Sequence, residues 1–224
     1  YDSATRRRES FLGGVSGHYV DITADGRWMA FVSYPEDELW KSRSDGSQRI
    51  RLSRPGRLAA APRSSPDGRA LSFLGFDPGE PGLSLRRVSA EGAGEEILAR
   101  PERGSDYWDA CWLPGGAELA FSHLASRSPG LLTLDLRTRQ VRPLLGAEKL
   151  SYPKCSPQGH LFAWASSTER YHVLWRGAKE WEPLEIPALA YPSWTRDGTA
   201  VIGLNIARQS VEQFDLAARR RTTL

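Results

Sequence analysis

The chain has 224 residues, 40% of them hydrophobic, and its 30 Lys and Arg nearly balance its 27 Asp and Glu for a net charge of +3. Only four of those basic residues are lysine (Lys41, Lys149, Lys154 and Lys179), and the arginines are scattered through turns and strand ends instead of forming one basic face, so no nucleic-acid footprint is expected. The longest apolar runs, such as 58–61 and 161–165, stop far short of the roughly 20 residues that a membrane-spanning helix needs, so no membrane insertion is expected.

Along the chain a turn motif recurs. The abrupt start, Tyr1-Asp2-Ser3-Ala4-Thr5-Arg6-Arg7-Arg8, matches Phe214-Asp215-Leu216-Ala217-Ala218-Arg219-Arg220-Arg221 near the end. Residues 1–14 therefore read as a partial blade, the hairpin of a repeat unit whose inner strands are missing, and the chain as an excerpt of a longer protein. An open strand edge there templates pairing with another blade or with a second copy of the chain. Five full copies follow, over 15–53, 57–100, 105–145, 149–185 and 188–224. Their turns are Thr23-Ala24-Asp25-Gly26, Ser65-Pro66-Asp67-Gly68, Leu113-Pro114-Gly115-Gly116, Ser156-Pro157-Gln158-Gly159 and Thr195-Arg196-Asp197-Gly198, with the last glycines 42, 48, 43 and 39 residues apart. Proline presets φ, aspartate caps the turn and glycine takes the φ > 0 position. The third copy lacks the aspartate, which leaves its turn type open.

After each glycine an alternating pattern runs in register. Met29, Leu71, Leu119, Phe162 and Val201 stand third; Phe31, Phe73, Phe121, Trp164 and Gly203 stand fifth. Period two with one apolar face is a half-buried strand. A strand precedes each turn and two more follow, giving four short strands per repeat with no helical periodicity. This predicts an all-β fold, a single β-propeller of four-stranded antiparallel blades: about five full blades plus the partial amino-terminal hairpin. Phe31, Phe73, Phe121 and Trp164 are expected to be buried between blades. An immunoglobulin-like sandwich would not explain five turns in matched register.

These turns, with the string Leu39-Trp40-Lys41-Ser42-Arg43-Ser44-Asp45-Gly46-Ser47, resemble the TolB-like, WD-like propeller repeat. Together with Tyr1-Asp2, Phe11-Leu12-Gly13-Gly14 and Val32-Ser33-Tyr34-Pro35-Glu36, they resemble propellers of bacterial, notably acidobacterial, proteins that carry an amino-terminal winged-helix DNA-binding domain or a kinase domain. The resemblance implies a bacterial interaction or sensor module of a larger signalling or transcription-regulatory protein, on either side of the inner membrane. The same repeat also occurs in propellers of prolyl-oligopeptidase-like peptidases, which implies as alternative a substrate-gating domain whose catalytic domain lies outside this chain.

No catalytic machinery emerges from the residues, and the chain is expected not to be an enzyme. Gly14-Val15-Ser16-Gly17-His18 falls short of a nucleophile elbow because histidine stands where glycine is required. Cys111 and Cys155, one repeat apart, are expected to be free buried thiols. Those cysteines and His18, His123, His160 and His172 share no metal-ligand spacing, so no metal and no cofactor are expected. One constellation remains. Seven residues before each repeat glycine stand Tyr19, Ala61, Asp109, Tyr152 and Tyr191, on the innermost strand, with Trp108 beside Asp109. On a ring they converge at one mouth of the channel. Tyr appears there three times and Phe never, which favours a wet site, since a buried hydroxyl needs a partner. Tyr19, Trp108, Asp109, Tyr152 and Tyr191 are thus the candidate site for a protein, peptide or small ligand. The loops 34–38, 76–82 and 124–130 offer a second binding face.

Overall fold

The computed structural model describes residues 15–125, 130–184, 186 and 189–224. The partial hairpin over 1–14 and most of the loop at 124–130 lie outside them. The described residues contain no helix and fold into five four-stranded antiparallel sheets arranged as a five-bladed β-propeller. Blade 1 comprises β1 (Gly17–Ile22), β2 (Trp28–Ser33), β3 (Leu39–Arg43) and β4 (Ile50–Arg51). Blade 2 comprises β5 (Leu58–Ser64), β6 (Ala70–Phe76), β7 (Ser84–Ser89) and β8 (Glu96–Ala99). Blade 3 comprises β9 (Ser105–Trp112), β10 (Glu118–Ala125), β11 (Gly130–Asp135) and β12 (Val141–Glu148). Blade 4 comprises β13 (Leu150–Cys155), β14 (Leu161–Ala165), β15 (Arg170–Leu174) and β16 (Glu182–Leu184). Blade 5 comprises β17 (Ala190–Trp194), β18 (Ala200–Asn205), β19 (Ser210–Asp215) and β20 (Arg220–Thr223). In every blade the strands pair in chain order.

The turns are built as their chemistry dictates. Asp25, Asp67 and Asp197 each accept from the hydroxyl two residues earlier at 2.6 Å and from the backbone N–H two residues later at about 3 Å. The third copy, without the aspartate, keeps the closing bond from the Gly116 N–H to the Leu113 carbonyl at 3.1 Å but puts Gly115 as well as Gly116 at positive φ. Gly115 supplies by backbone freedom what the aspartate supplies in blades 1, 2 and 5 by side-chain hydrogen bonds.

Blade 4 departs from the expected register. In blades 1, 2, 3 and 5 the residue before the turn donates to the carbonyl five residues on (Ser65 to Ala70, for example), whereas Ser156 donates to His160, four on. The turn is one residue shorter, and a slip of one residue moves every side chain to the other face. Leu161, paired with Cys155, is therefore the counterpart of Leu71 and Leu119, while Phe162 and Trp164 point the other way. Phe162 is buried in the cluster it shares with Val201 and Phe214 of blade 5. Trp164 is only half-buried, against the expectation of a core position. Phe31, Phe73 and Phe121 are buried as expected. Gly203 lies behind this interface: a Cβ there would meet the Leu189 Cβ at 2.7 Å, so the missing side chain makes room for Leu189 of the same blade, which packs in the cluster with Phe162.

The core lies between blades. One apolar cluster joins blades 1 and 2, another blades 2 and 3, two join blades 3 and 4, and a fifth joins blades 4 and 5. Among the described residues no hydrogen bond, ion pair or buried apolar cluster joins blade 5 to blade 1. The expectation of free thiols is overturned: Cys111 and Cys155 form a disulfide between blades 3 and 4, with Cα atoms 5.5 Å apart. Cys111 pairs with Ala120 and faces blade 4; Cys155 pairs with Leu161 and faces blade 3. A spacing of one repeat places the two at the same height on neighbouring blades, which read along the chain looks merely like two distant cysteines.

Candidate functional site

Each first strand carries an irregularity at the same place. The pairing of β1 with β2 slips between His18 and Asp21, and the corresponding slips fall in β5, β9, β13 and β17. At each slip one non-glycine residue sits in the left-handed region: Tyr19, Ala61, Asp109, Tyr152 and Tyr191, with φ of 52°, 46°, 39°, 57° and 53°. These are the five residues seven positions before the repeat glycines. A bulge adds an unpaired residue and re-aims its side chain. An L-residue at positive φ costs about 1–2 kcal/mol, a cost that the surrounding ladder must carry here in every blade.

The re-aimed side chains meet. Tyr19, Trp108, Asp109, Tyr152 and Tyr191 all line one open cavity of about 1380 Å³, together with Ala61, Arg63, Lys154 and Trp164. All five candidates are thus brought to one place. The tyrosines are accessible, at 40% for Tyr19, 42% for Tyr152 and 90% for Tyr191. Tyr19 of blade 1 reaches towards Trp108 of blade 3, the ring centroids 6.3 Å apart and the planes 76° from parallel. Partial burial, with the carboxylates of Asp37 and Asp109 adding to it, raises the Tyr19 hydroxyl pKa above its usual value. Tyr171 on the wall is different: its hydroxyl donates to the Leu189 carbonyl at 2.6 Å and burial pushes its pKa to about 12, so it packs.

Below the tyrosines lie four charged groups, of which the sequence reading found one. Asp109, the least accessible of the candidates, accepts from Arg63 Nη2 at 2.7 Å and from Lys154 Nζ. Burial alone would raise its pKa, but Arg63 and Lys154 outweigh that and hold the carboxyl below its ordinary value. Asp21 Oδ2 accepts from the Ser64 N–H at 2.8 Å; there burial wins, and the pKa is raised. Burial lowers the Lys154 pKa, with Asp109 opposing and Arg63 adding to the effect. Asp21, Arg63 and Lys154 stand five residues before their glycines, as Cys111 does. In blades 1, 2 and 3 this position makes a link to the next blade: Asp21 to Ser64, Arg63 to Asp109, Cys111 to Cys155. Three charged residues and a cysteine among five strand positions were the signal.

The loop at 76–82 does not present its acids outward. Asp77 and Glu80 turn onto buried Arg86, with Glu80 at 2.5 Å and Asp77 at 3.1 Å, and Glu95 joins them at 2.9 Å. No group of three or more His, Cys, Asp or Glu among the described residues is placed to hold a metal ion.

The fold is a β-propeller similar to those of solved TolB proteins. No known family profile matches the chain. A TolB homolog of Chlorobium luteolum is 27% identical over 144 residues, an alignment covering 47% of this chain and 33% of that protein. The chain thus matches about a third of the length of that curated relative. Among solved structures, a putative TolB from Agrobacterium tumefaciens aligns with a TM-score of 0.76 at 14% identity over 93% of this chain and 80% of that one. A puromycin-hydrolysing peptidase of Mycobacterium tuberculosis aligns at 0.67 and 15%, over 96% of this chain and 38% of its own. At these identities the solved structures establish fold alone.

Proposed function

We propose that this chain is a non-enzymatic recognition module of a larger bacterial signalling or transcription-regulatory protein, and that it binds its ligand at the channel mouth. The observation that carries this is the convergence of aromatic side chains from blades 1, 3, 4 and 5 on one cavity, with Tyr191 almost fully exposed there. Exposed Tyr and Trp at a concave site are what binding surfaces use, because they offer large rigid faces with polar tips. At about 1380 Å³ the cavity exceeds the roughly 300–1,000 Å³ of a small-molecule pocket, which favours a peptide segment or a loop of a partner protein. The test is panning of a displayed peptide library on the chain, followed by titration of the recovered peptides. Tyr152→Ala and Tyr191→Ala together should weaken them at least tenfold, and retention of full affinity would move the site elsewhere.

The second reading, a substrate-gating propeller of a peptidase, draws on the fold likeness to the puromycin-hydrolysing peptidase. A hydrolase domain in the same gene would favour it; a winged helix upstream would favour the first.

A further inference from the structure

The hydrogen-bonding capacity of the cavity floor is unevenly spent. Asp109, 8% accessible at its side chain, has one oxygen on Arg63 and the Ala110 N–H and the other on Lys154. Asp21 has one oxygen on the Ser64 N–H, and the Ser64 side chain adds a further hydrogen bond. The cations are the opposite case. A guanidinium has five N–H donors and an ammonium three. Arg63 uses one on Asp109 and one on the Pro62 carbonyl at 2.8 Å, and Lys154 uses one on Asp109. Their side chains are 22% and 17% accessible, more than twice the figure for the acid they share. What the floor offers an incoming group is therefore mainly charged donors, held close together because one carboxylate bridges both. An anion there offsets by its charge the burial that lowers the Lys154 pKa, as Asp109 already does, and Asp21, whose pKa burial raises, takes a proton more readily than an ordinary aspartate. Above the floor, Tyr19 and Trp108 form an aromatic wedge.

Resting on the mouth as the binding site, we propose that the ligand carries a carboxylate that takes the unspent donors of Arg63 and Lys154, flanked by an apolar group lying against Tyr19 and Trp108. A peptide's carboxy-terminus and a free small acid share this chemistry.

Calorimetric titration of the whole chain with four probes tests it: N-acetylphenylalanine, its primary amide, N-acetyl-Ala-Ala-Phe and the amide of that peptide. Each acid should bind at least tenfold more tightly than its amide, the scale of one charge-assisted hydrogen bond. Lys154→Gln or Arg63→Gln should bring the acid down to the amide, and Lys154→Arg should retain most of the difference. Because removing a partner of Asp109 risks the fold, Trp108→Leu serves as a control outside the ion cluster: it should weaken acid and amide alike. Binding by the free acid as well as the peptide acid would identify a small-acid site; binding by the peptide acid alone would identify a chain end. Equal binding of acid and amide, with both lost in Trp108→Leu, would overturn the carboxylate and leave the mouth standing. Failure of both acids to bind at millimolar concentration would also overturn the carboxylate, and the peptide panning would then judge the mouth by itself.

Discussion

Towards blade 2, blade 3 presents Leu119, Phe121, Leu134 and Tyr107 against Leu74 and Leu85, and the Trp112 indole closes the contact on the Arg63 carbonyl at 2.9 Å. Towards blade 4 it presents Ala120, Ala147, Leu131 and Cys111 against Leu161, Ala163 and Ala165. One face is filled with aromatic volume at its centre; the other has alanine, leucine and a cystine at its centre, with Trp181 and Leu144 packed at its margin. The origin of the difference is the short turn Ser156–His160. A turn of ordinary length would aim Phe162 and Trp164 at blade 3; the shorter one aims them at blade 5, where Phe162 packs with Leu189, Val201 and Phe214. Burial scales with apolar area, so a centre with alanines in place of aromatic rings gains less from it, and the disulfide with the Asp109–Lys154 pair adds covalent and ionic links there. Blades of one repeat can thus meet by different means, and the length of a single turn decides which.

The largest test acts on the filled face. Phe121→Ala should cost about 3–5 kcal/mol, read as a shift of the denaturant midpoint, because it opens a cavity in a rigid interface. A loss below about 1 kcal/mol would mean that the face is not held by volume. On the other face, Cys111→Ala should cost about 2–4 kcal/mol, and a reducing agent should destabilise the wild type but not the variant. If reduction leaves the wild type unmoved, the small-residue centre stands without its cross-link and the contrast fails. The register correction separates two neighbours. Phe162→Ala should match Phe121→Ala, whereas Trp164→Ala should cost about 1 kcal/mol, the worth of its ring contact with Tyr171. Equal large losses at both would restore the unshifted register. The smallest effect is acid lability of the aspartate turns. Turn hydrogen bonds hold Asp25, Asp67 and Asp197 below the ordinary value of 3.8. A carboxyl depressed in the folded state lends stability that is complete above its unfolded pKa and lost as pH falls through the folded one. Melts should therefore drop on acidification below about 3.8, and Asp67→Asn should flatten that drop.

Much of this architecture is legible in the chain. The repeat glycines fix turn positions, and Phe31, Phe73 and Phe121 show the core face, because period two and turn chemistry are local properties. Trp164 escaped because a turn one residue shorter still reads Ser-Pro-x-Gly; only the hydrogen bond from Ser156 to His160 reveals it. The disulfide escaped because adjacency of blades is not adjacency in sequence. At the mouth, Tyr19, Tyr152 and Tyr191 could be found from their shared position. Arg63 and Lys154 share a position too, five residues before their glycines, but whether a strand cation there faces solvent or a carboxylate of another blade depends on the bulge between them.

That recurring bulge has a consequence for how such a ring can change. In blades 4 and 5 the residue at its tip, Tyr152 or Tyr191, stands outside the ladder and is exposed, while its direction is set by the backbone. Exchanging Tyr152 or Tyr191 for another side chain alters what the mouth presents without asking the core to adjust. Ala61 and Asp109, buried at the same position of blades 2 and 3, are the ones the core holds fixed, so the ring separates the part of the mouth that must be kept from the part that can be rewritten.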